Sequence, residues 1–358
     1  MPIVPLYGHA ALRRRFQQSV AHGTLPSSLL IQGPRGIGKQ RLALWLGQLL
    51  LCTGDADARP CGQCTSCRYA TTLVHPDLRW FFPRPRLTDA DASPQDVLDD
   101  YVDALAARAA ANGLYPAPSG TEAIFVATIR AIISIASYTP TLGERKVFVV
   151  GDAERMVPQE GADAAANAFL KLLEEPPRDT TIILTSSEPG ALLPTIRSRV
   201  VTLRAAALPE SDVKAFLADA AVASHLEKSG APPSVADRLQ LAAGAPGTLL
   251  GATSRDDAFA AARALLAAAT GPRADRIRAA FSLGGSKSRG LFSDVLDALT
   301  ILLHERARDA VRKRDAETAV SSTRAIEMVE RAKLRAAGTV SPQLLGASLL
   351  RDLAGSLQ

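Results

Sequence analysis

Two groups of residues in this sequence have the types and spacing to do chemistry: four cysteines and a glycine-rich loop. Cys52, Cys61, Cys64 and Cys67 follow the spacing C-x8-C-x2-C-x2-C and are all the cysteines of the chain. Two overlapping Cys-x-x-Cys turns suit tetrahedral Zn²⁺ held by four thiolates, and Gly62 eases the turn. Four protein ligands leave no open position, so the expected zinc is structural. His75, in His75-Pro76-Asp77, is a substitute ligand by type but a turn residue by position.

The loop is Gly33-Pro34-Arg35-Gly36-Ile37-Gly38-Lys39-Gln40. It fits the phosphate-loop spacing in all but its last position. Glycines let backbone N–H groups point at phosphates, and a following helix N-terminus favours the negative charge. Gly33, Gly36, Gly38 and Lys39 are therefore candidate nucleotide-binding residues, with Lys39 directed at the β- and γ-phosphates. Gln40 stands where a Ser or Thr hydroxyl would hold Mg²⁺, and a carboxamide replaces it poorly in a tight octahedral shell. Further on, KVFVVGD ends in Asp152, the candidate second Mg²⁺ contact. Ala153 occupies the place of a catalytic glutamate. Glu154 comes one residue later, where strand alternation points it to the other face. Without a group to orient the attacking water, efficient hydrolysis is not expected. Nucleotide binding itself stays open against the plainer reading of an inherited structural turn.

These residues need elements to position them. Residues 27–33 predict a strand and 39–51 a helix with Leu42, Leu46 and Leu49 on one face. A Pro-rich, Ala-rich insertion over 84–120 holds a helix at roughly Pro94–Asn112. A helix is expected over 121–137, strands over 146–152, 181–187 and 200–205, and a helix over 162–175 that stops at Pro176-Pro177. Strand–helix alternation up to about residue 205 implies an α/β fold with a parallel sheet. Everything after is helical, including long helices over 288–313, with Leu291, Val295, Leu299 and Leu302, and from Ser341-Pro342, with Leu345, Leu349 and Leu353. The expected domains are an α/β domain over 1–205, with the zinc module at 52–67, a small helical lid over 206–253, and a helical C-terminal domain over 254–358.

Composition bounds the function. Of 358 residues, 47% are hydrophobic and 22% charged, as in ordinary globular proteins. The net charge of +5 suits acidic partners such as nucleic acid, but the positive residues are scattered. The apolar run Leu42–Leu51 is too short to span a bilayer, and residues 1–20 lack the apolar stretch of a signal peptide. A cytoplasmic protein is expected, in which cysteines serve as metal ligands rather than disulfides.

In order, these pieces resemble the bacterial clamp-loader subunits of DNA polymerase III, AAA+ proteins, and within them the delta-prime branch. The resemblance rests on GPRGIGK with the cysteine module behind its helix, on HPD at 75–77, and on Asp152-Ala153-Glu154-Arg155-Met156. Its most specific segment is Ala166-Asn167-Ala168-Phe169-Leu170-Lys171-Leu172-Leu173-Glu174-Glu175-Pro176-Pro177. Pro194-Thr195-Ile196-Arg197-Ser198-Arg199-Val200 is similar to the family's SRC motif, with Val200 replacing the cysteine. Val340-Ser341-Pro342-Gln343-Leu344-Leu345 is similar to a C-terminal NPQLL.

The resemblance implies a ring of AAA+ subunits, joined by C-terminal helical collar domains, that opens a sliding clamp and places it on primed DNA. Its motor members keep the loop hydroxyl, the strand-end glutamate and a lid arginine. Gln40, Ala153 and Thr248, in Gly244-Ala245-Pro246-Gly247-Thr248, depart from all three, which favours a non-hydrolysing stator. The implied partners are the ATPase motor subunits, delta, the clamp indirectly and primed DNA, with no membrane. By the same resemblance Arg199 is a catalytic arginine finger acting in trans on a neighbour's γ-phosphate. The competing readings are an active motor-type ATPase and a free-standing zinc-dependent DNA-binding protein.

Overall fold

The computed structural model describes residues 2–87, 92–118, 122–156, 163–283, 288–336 and 341–357. The chain forms two compact units, one of Met1–Pro118 with Glu122–Gly251 and one of Ala252–Gln358 with Ser119–Thr121.

The first unit is built on a five-stranded parallel sheet. Its strands are β1 (Ser28–Gln32), β2 (Leu78–Phe81), β3 (Lys146–Val150), β4 (Thr180–Ser186) and β5 (Val201–Arg204). Their spatial order is β2-β3-β4-β1-β5. β3 and β4 are buried along their whole length, as expected of β-branched runs covered on both faces. Ser28 pairs with Ile182 and Leu29 with Val201, so β1 lies between β4 and β5. The carboxyl ends of β1, β3 and β4 therefore lie side by side where the strand order reverses. Open α/β sheets bind ligands at such a crevice.

Helices α1 (Ala10–Ala21), α2 (Lys39–Leu51), α3 (Thr65–Thr71), α4 (Pro94–Ala110), α5 (Val126–Ala136), α6 (Asp163–Glu174) and α7 (Pro194–Arg197) surround the sheet. Leu42, Leu46 and Leu49 of α2 are buried in the core with Phe148 and Ile183. α4 opens with a capping box between Ser93 and Asp96 and a proline in its first turn. α5 starts later than its sequence pattern suggests, because Ala123 bridges Arg84 and Ile124 bridges Met156 in extended conformation. Parts of the 84–120 insertion, residues 88–91, 119 and 120, lie outside the described residues. The unit closes with α8 (Glu210–Ala218), α9 (Ala220–Lys228), α10 (Val235–Ala242) and a 3-10 turn at Pro246–Gly251. Val213, Leu217, Val222, Leu226 and Leu249 are buried there.

The second unit is all helix: α11 (Ala252–Thr270), α12 (Arg273–Ser282), α13 (Ser288–Arg312), α14 (Ala316–Ala336) and α15 (Pro342–Leu357). Val295, Leu299, Val329, Leu349 and Leu353 share one core. Lys333 of α14 ties the two longest helices together through Asp297 at 2.9 Å, with Glu330 also at 2.9 Å.

Candidate functional site: the phosphate loop and the cysteine knot

The loop leaves β1 at Gly33, whose N–H donates to the Ser186 carbonyl at 3.2 Å. A side chain at Gly33 would collide with the backbone carbonyl of Ala205, so only glycine fits this exit. Gly36 has φ +83, a left-handed conformation that favours glycine, and its carbonyl accepts a hydrogen bond from Gly247 N at 2.8 Å. His9 Nε2 donates to the Ile37 carbonyl at 2.8 Å. Burial lowers the His9 pKa against the favourable hydrogen bond to Ile37, which keeps the ring neutral. The loop is thus held from the 3-10 turn and from the segment before α1.

Lys39 is buried, and its Nζ donates to the Pro34 carbonyl at 2.9 Å and to Ser187 Oγ at 2.8 Å. Burial lowers its pKa, while Asp152 and Glu154 favour its charge. The Gln40 Nε2 donates to Asp152 Oδ2 at 2.9 Å. Its Oε1 accepts from Trp80 Nε1 at 2.9 Å and from the Tyr115 hydroxyl at 3.4 Å. The residues at the two candidate metal positions are therefore hydrogen-bonded directly to each other.

Ala153 is buried and offers no functional group. Glu154 differs from the alternation argument. Because β3 ends at Val150 and a 3-10 turn follows at Ala153–Arg155, the carboxylate swings back to the end of β4. Its Oε1 accepts from Ser187 N at 2.9 Å, and its Oε2 is buried without a hydrogen-bond partner. Burial, then the Asp152 charge, raises its pKa. Ser187, Trp80 and Tyr115 were not singled out by spacing. Ser187 is recognisable only as the residue following a buried strand, and the two aromatic residues only by their scarcity, at 5% of the chain for all aromatics.

The cysteine sulfurs of Cys52, Cys61, Cys64 and Cys67 all lie within 4.8 Å of one another. The Cys52–Cys64 separation is 3.9 Å. Zn–S bonds of about 2.3 Å in a tetrahedron require S···S edges of about 3.8 Å, so the knot fits zinc. Backbone N–H groups point at the sulfurs: Cys61 N to Cys52 at 3.3 Å, Cys64 N to Cys61 at 3.4 Å and Cys67 N to Cys64 at 3.4 Å. Burial opposes ionisation of Cys64, but N–H donors from Cys67 and Thr53 hold its thiol down to about 6. Arg59 Nε donates to the Gly54 carbonyl, and Gln17 of α1 donates to the Arg59 carbonyl, which fastens the knot to the unit. His75 is instead part of a turn: its Nδ1 accepts from Asp77 N at 3.0 Å. The Asp77 carboxylate in turn accepts N–H groups from Thr141, Leu142 and Gly143 at 2.6, 2.7 and 3.0 Å. HPD is thus a clamp on the loop entering β3.

Arg199 follows α7. Its Nε donates to Glu174 Oε2 at 3.1 Å and its Nη1 to the Thr195 carbonyl at 3.0 Å. Leu29 pairs with Val201 and Gln32 with Arg204. This parallel register places Arg199 before the amino end of β5, whereas the loop follows the carboxyl end of β1. Arg199 and the chain's own loop therefore lie at opposite ends of two adjacent parallel strands.

The family model described as DNA polymerase III, delta subunit, matches residues 8–209. The chain belongs to that family. Among relatives of this delta-subunit family member, the DNA polymerase III subunit delta' of Pseudomonas aeruginosa is 34% identical over 172 residues, 48% of this chain and 40% of that protein. The subunit delta' of Escherichia coli is 29% identical over 242 residues, 67% of this chain and 59% of that protein. Subunit gamma/tau of Mycobacterium bovis is 29% identical over 196 residues, 55% of this chain and 27% of that protein. The matches span about half the length of the two delta' relatives. No helix among the described residues of this delta-subunit family member is long and apolar enough to cross a membrane.

Proposed function

We propose that this chain is a non-hydrolysing stator subunit of the clamp loader of the DNA polymerase III holoenzyme. It acts in the cytoplasm with ATPase motor subunits and delta, helping to place the sliding clamp on primed DNA. Residues 206–253 serve as its lid and 254–358 as its oligomerisation domain. The observation that carries the reading is the Gln40–Asp152 hydrogen bond of 2.9 Å, which joins two side chains that a hydrolysing site would turn to a metal. Zn²⁺ on Cys52, Cys61, Cys64 and Cys67 is structural, since four thiolates complete its shell.

Arg199 acts on a neighbouring subunit. It stands at the amino end of β5, away from its own loop at the carboxyl end of β1, and its ion pair with the exposed Glu174 is weak enough to exchange for a phosphate. A guanidinium offers a planar fork of donors suited to phosphate oxygens. The test is Arg199→Ala in a loader reconstituted with clamp and primed DNA. Clamp loading slows by at least about tenfold with assembly intact, below the ~10³–10⁵ of other arginine fingers because only one site is served. Normal loading by that ring would contradict the assignment. The likeness to gamma/tau supports a second reading, an active motor-type ATPase, which ATP turnover by the purified chain decides.

A further inference from the structure

The residues at the metal position do not fit Mg²⁺, and the insertion explains why. Asp152 is engaged by the Gln40 amide, whose other end is held by the Trp80 indole and the Tyr115 hydroxyl. Gly151 makes room for this arrangement: any Cβ there would collide with the Gln40 carboxamide. The same two aromatic rings hold Arg108, from the last turn of α4. Its guanidinium sits 4.4 Å from the Trp80 ring centroid, 3.2 Å from that of Phe82 and 3.8 Å from that of Tyr115. Its Nη1 is buried without a hydrogen-bond partner. Enclosing part of a guanidinium in this way is costly unless opposite charge and aromatic faces compensate it. Burial lowers its pKa to about 10, while Tyr115, Asp152 and Glu122 favour the charged form, so it stays cationic at neutral pH.

The insertion is braced for this purpose. Arg84 pairs with Asp100 at 2.7 Å, the Tyr101 hydroxyl donates to the Phe82 carbonyl, and Val4 N donates to the Asn112 carbonyl at 2.8 Å. We propose that residues 92–118, the described core of the insertion, form an internal plug. The plug brings Arg108 and Tyr115 behind Gln40, so that a fixed amide and a fixed guanidinium take the place of a divalent cation beside Asp152. The loop then has no room for a metal–nucleotide complex. This deepens the non-hydrolysing reading, but its test reads metal binding and not turnover, so either can fail alone.

The experiment is Mn²⁺ binding to the full chain with ADP, followed by the electron paramagnetic resonance signal of free Mn²⁺. The wild-type chain, Gln40→Thr and Arg108→Met each take up no ADP-dependent Mn²⁺. The combined Gln40→Thr, Arg108→Met variant binds it at least about tenfold more tightly than the wild type, and Asp152→Asn abolishes that gain. Gln40→Thr with Arg108→Lys, which keeps the charge, stays without metal. Arg108→Gln replaces the methionine variant if circular dichroism shows that the latter is unfolded. Three results overturn the plug: Asp152-dependent Mn²⁺ binding by the wild type, full binding by Gln40→Thr alone, or no binding by the folded double variant.

Discussion

At the scale of single residues, side-chain length and position decide the chemistry of this loop. A threonine at position 40 would be too short to reach Asp152; the longer glutamine does reach it, and its amide engages the carboxylate. Glu154 illustrates the same sensitivity, since one residue of displacement brings its carboxylate to Ser187 N and into a buried setting. A carboxyl whose pKa is raised by folding binds its proton more tightly in the native state, so its ionisation costs stability above the ordinary carboxylate range. Glu154→Gln removes that cost and keeps the acceptor for Ser187 N. The variant melts at a higher temperature than the wild type at pH 8, and the difference shrinks as pH falls through the raised range toward ordinary carboxylate values. Thermal unfolding across this pH range checks it, and a gap that does not narrow in acid contradicts it.

At the scale of elements, the cysteine knot is the part whose stability comes from outside the hydrophobic core. Structural zinc binds with about 10–16 kcal/mol of apparent energy in small modules. The account predicts one Zn²⁺ per chain by elemental analysis. Chelation speeds amide exchange in residues 52–67 while β3 and β4 stay protected, because Cys52 extends from α2 and Gln17 anchors the knot, yet neither supports the sheet. Exchange that rises everywhere at once would contradict this separation.

The knot was legible in the sequence because its ligands are close in the chain, and the loop was legible because phosphate binding demands glycines at fixed spacing. β2 was not, since Leu78–Phe81 is too short to show alternation. α1 was missed for want of an apolar stripe, as Phe16 is its one buried residue. The role of the insertion was illegible for a different reason. Arg108 and Trp80 meet only in the fold, and nothing in the spacing of an Ala-rich helix marks one arginine as the one that packs on aromatic rings. The Arg199–Glu174 pair likewise spans 25 positions and depends on where α7 leaves the sheet.

At the scale of the whole molecule, the two compact units have separate cores. On the function proposed above, the α/β unit has its metal position filled by Gln40 and the helical unit supplies faces for assembly. Ending the chain at residue 251 should leave a folded first unit that retains zinc and no longer enters the loader. Size-exclusion chromatography with the motor subunits checks this, and full assembly by the shortened chain contradicts the role given to the second unit. The central claim, that this delta-subunit family member does not turn over ATP, is tested most directly by steady-state hydrolysis with the purified full-length chain. The wild type and Lys39→Ala should show the same background rate. Turnover on the order of 1 s⁻¹, as in ordinary enzymes, that disappears in Lys39→Ala would contradict it.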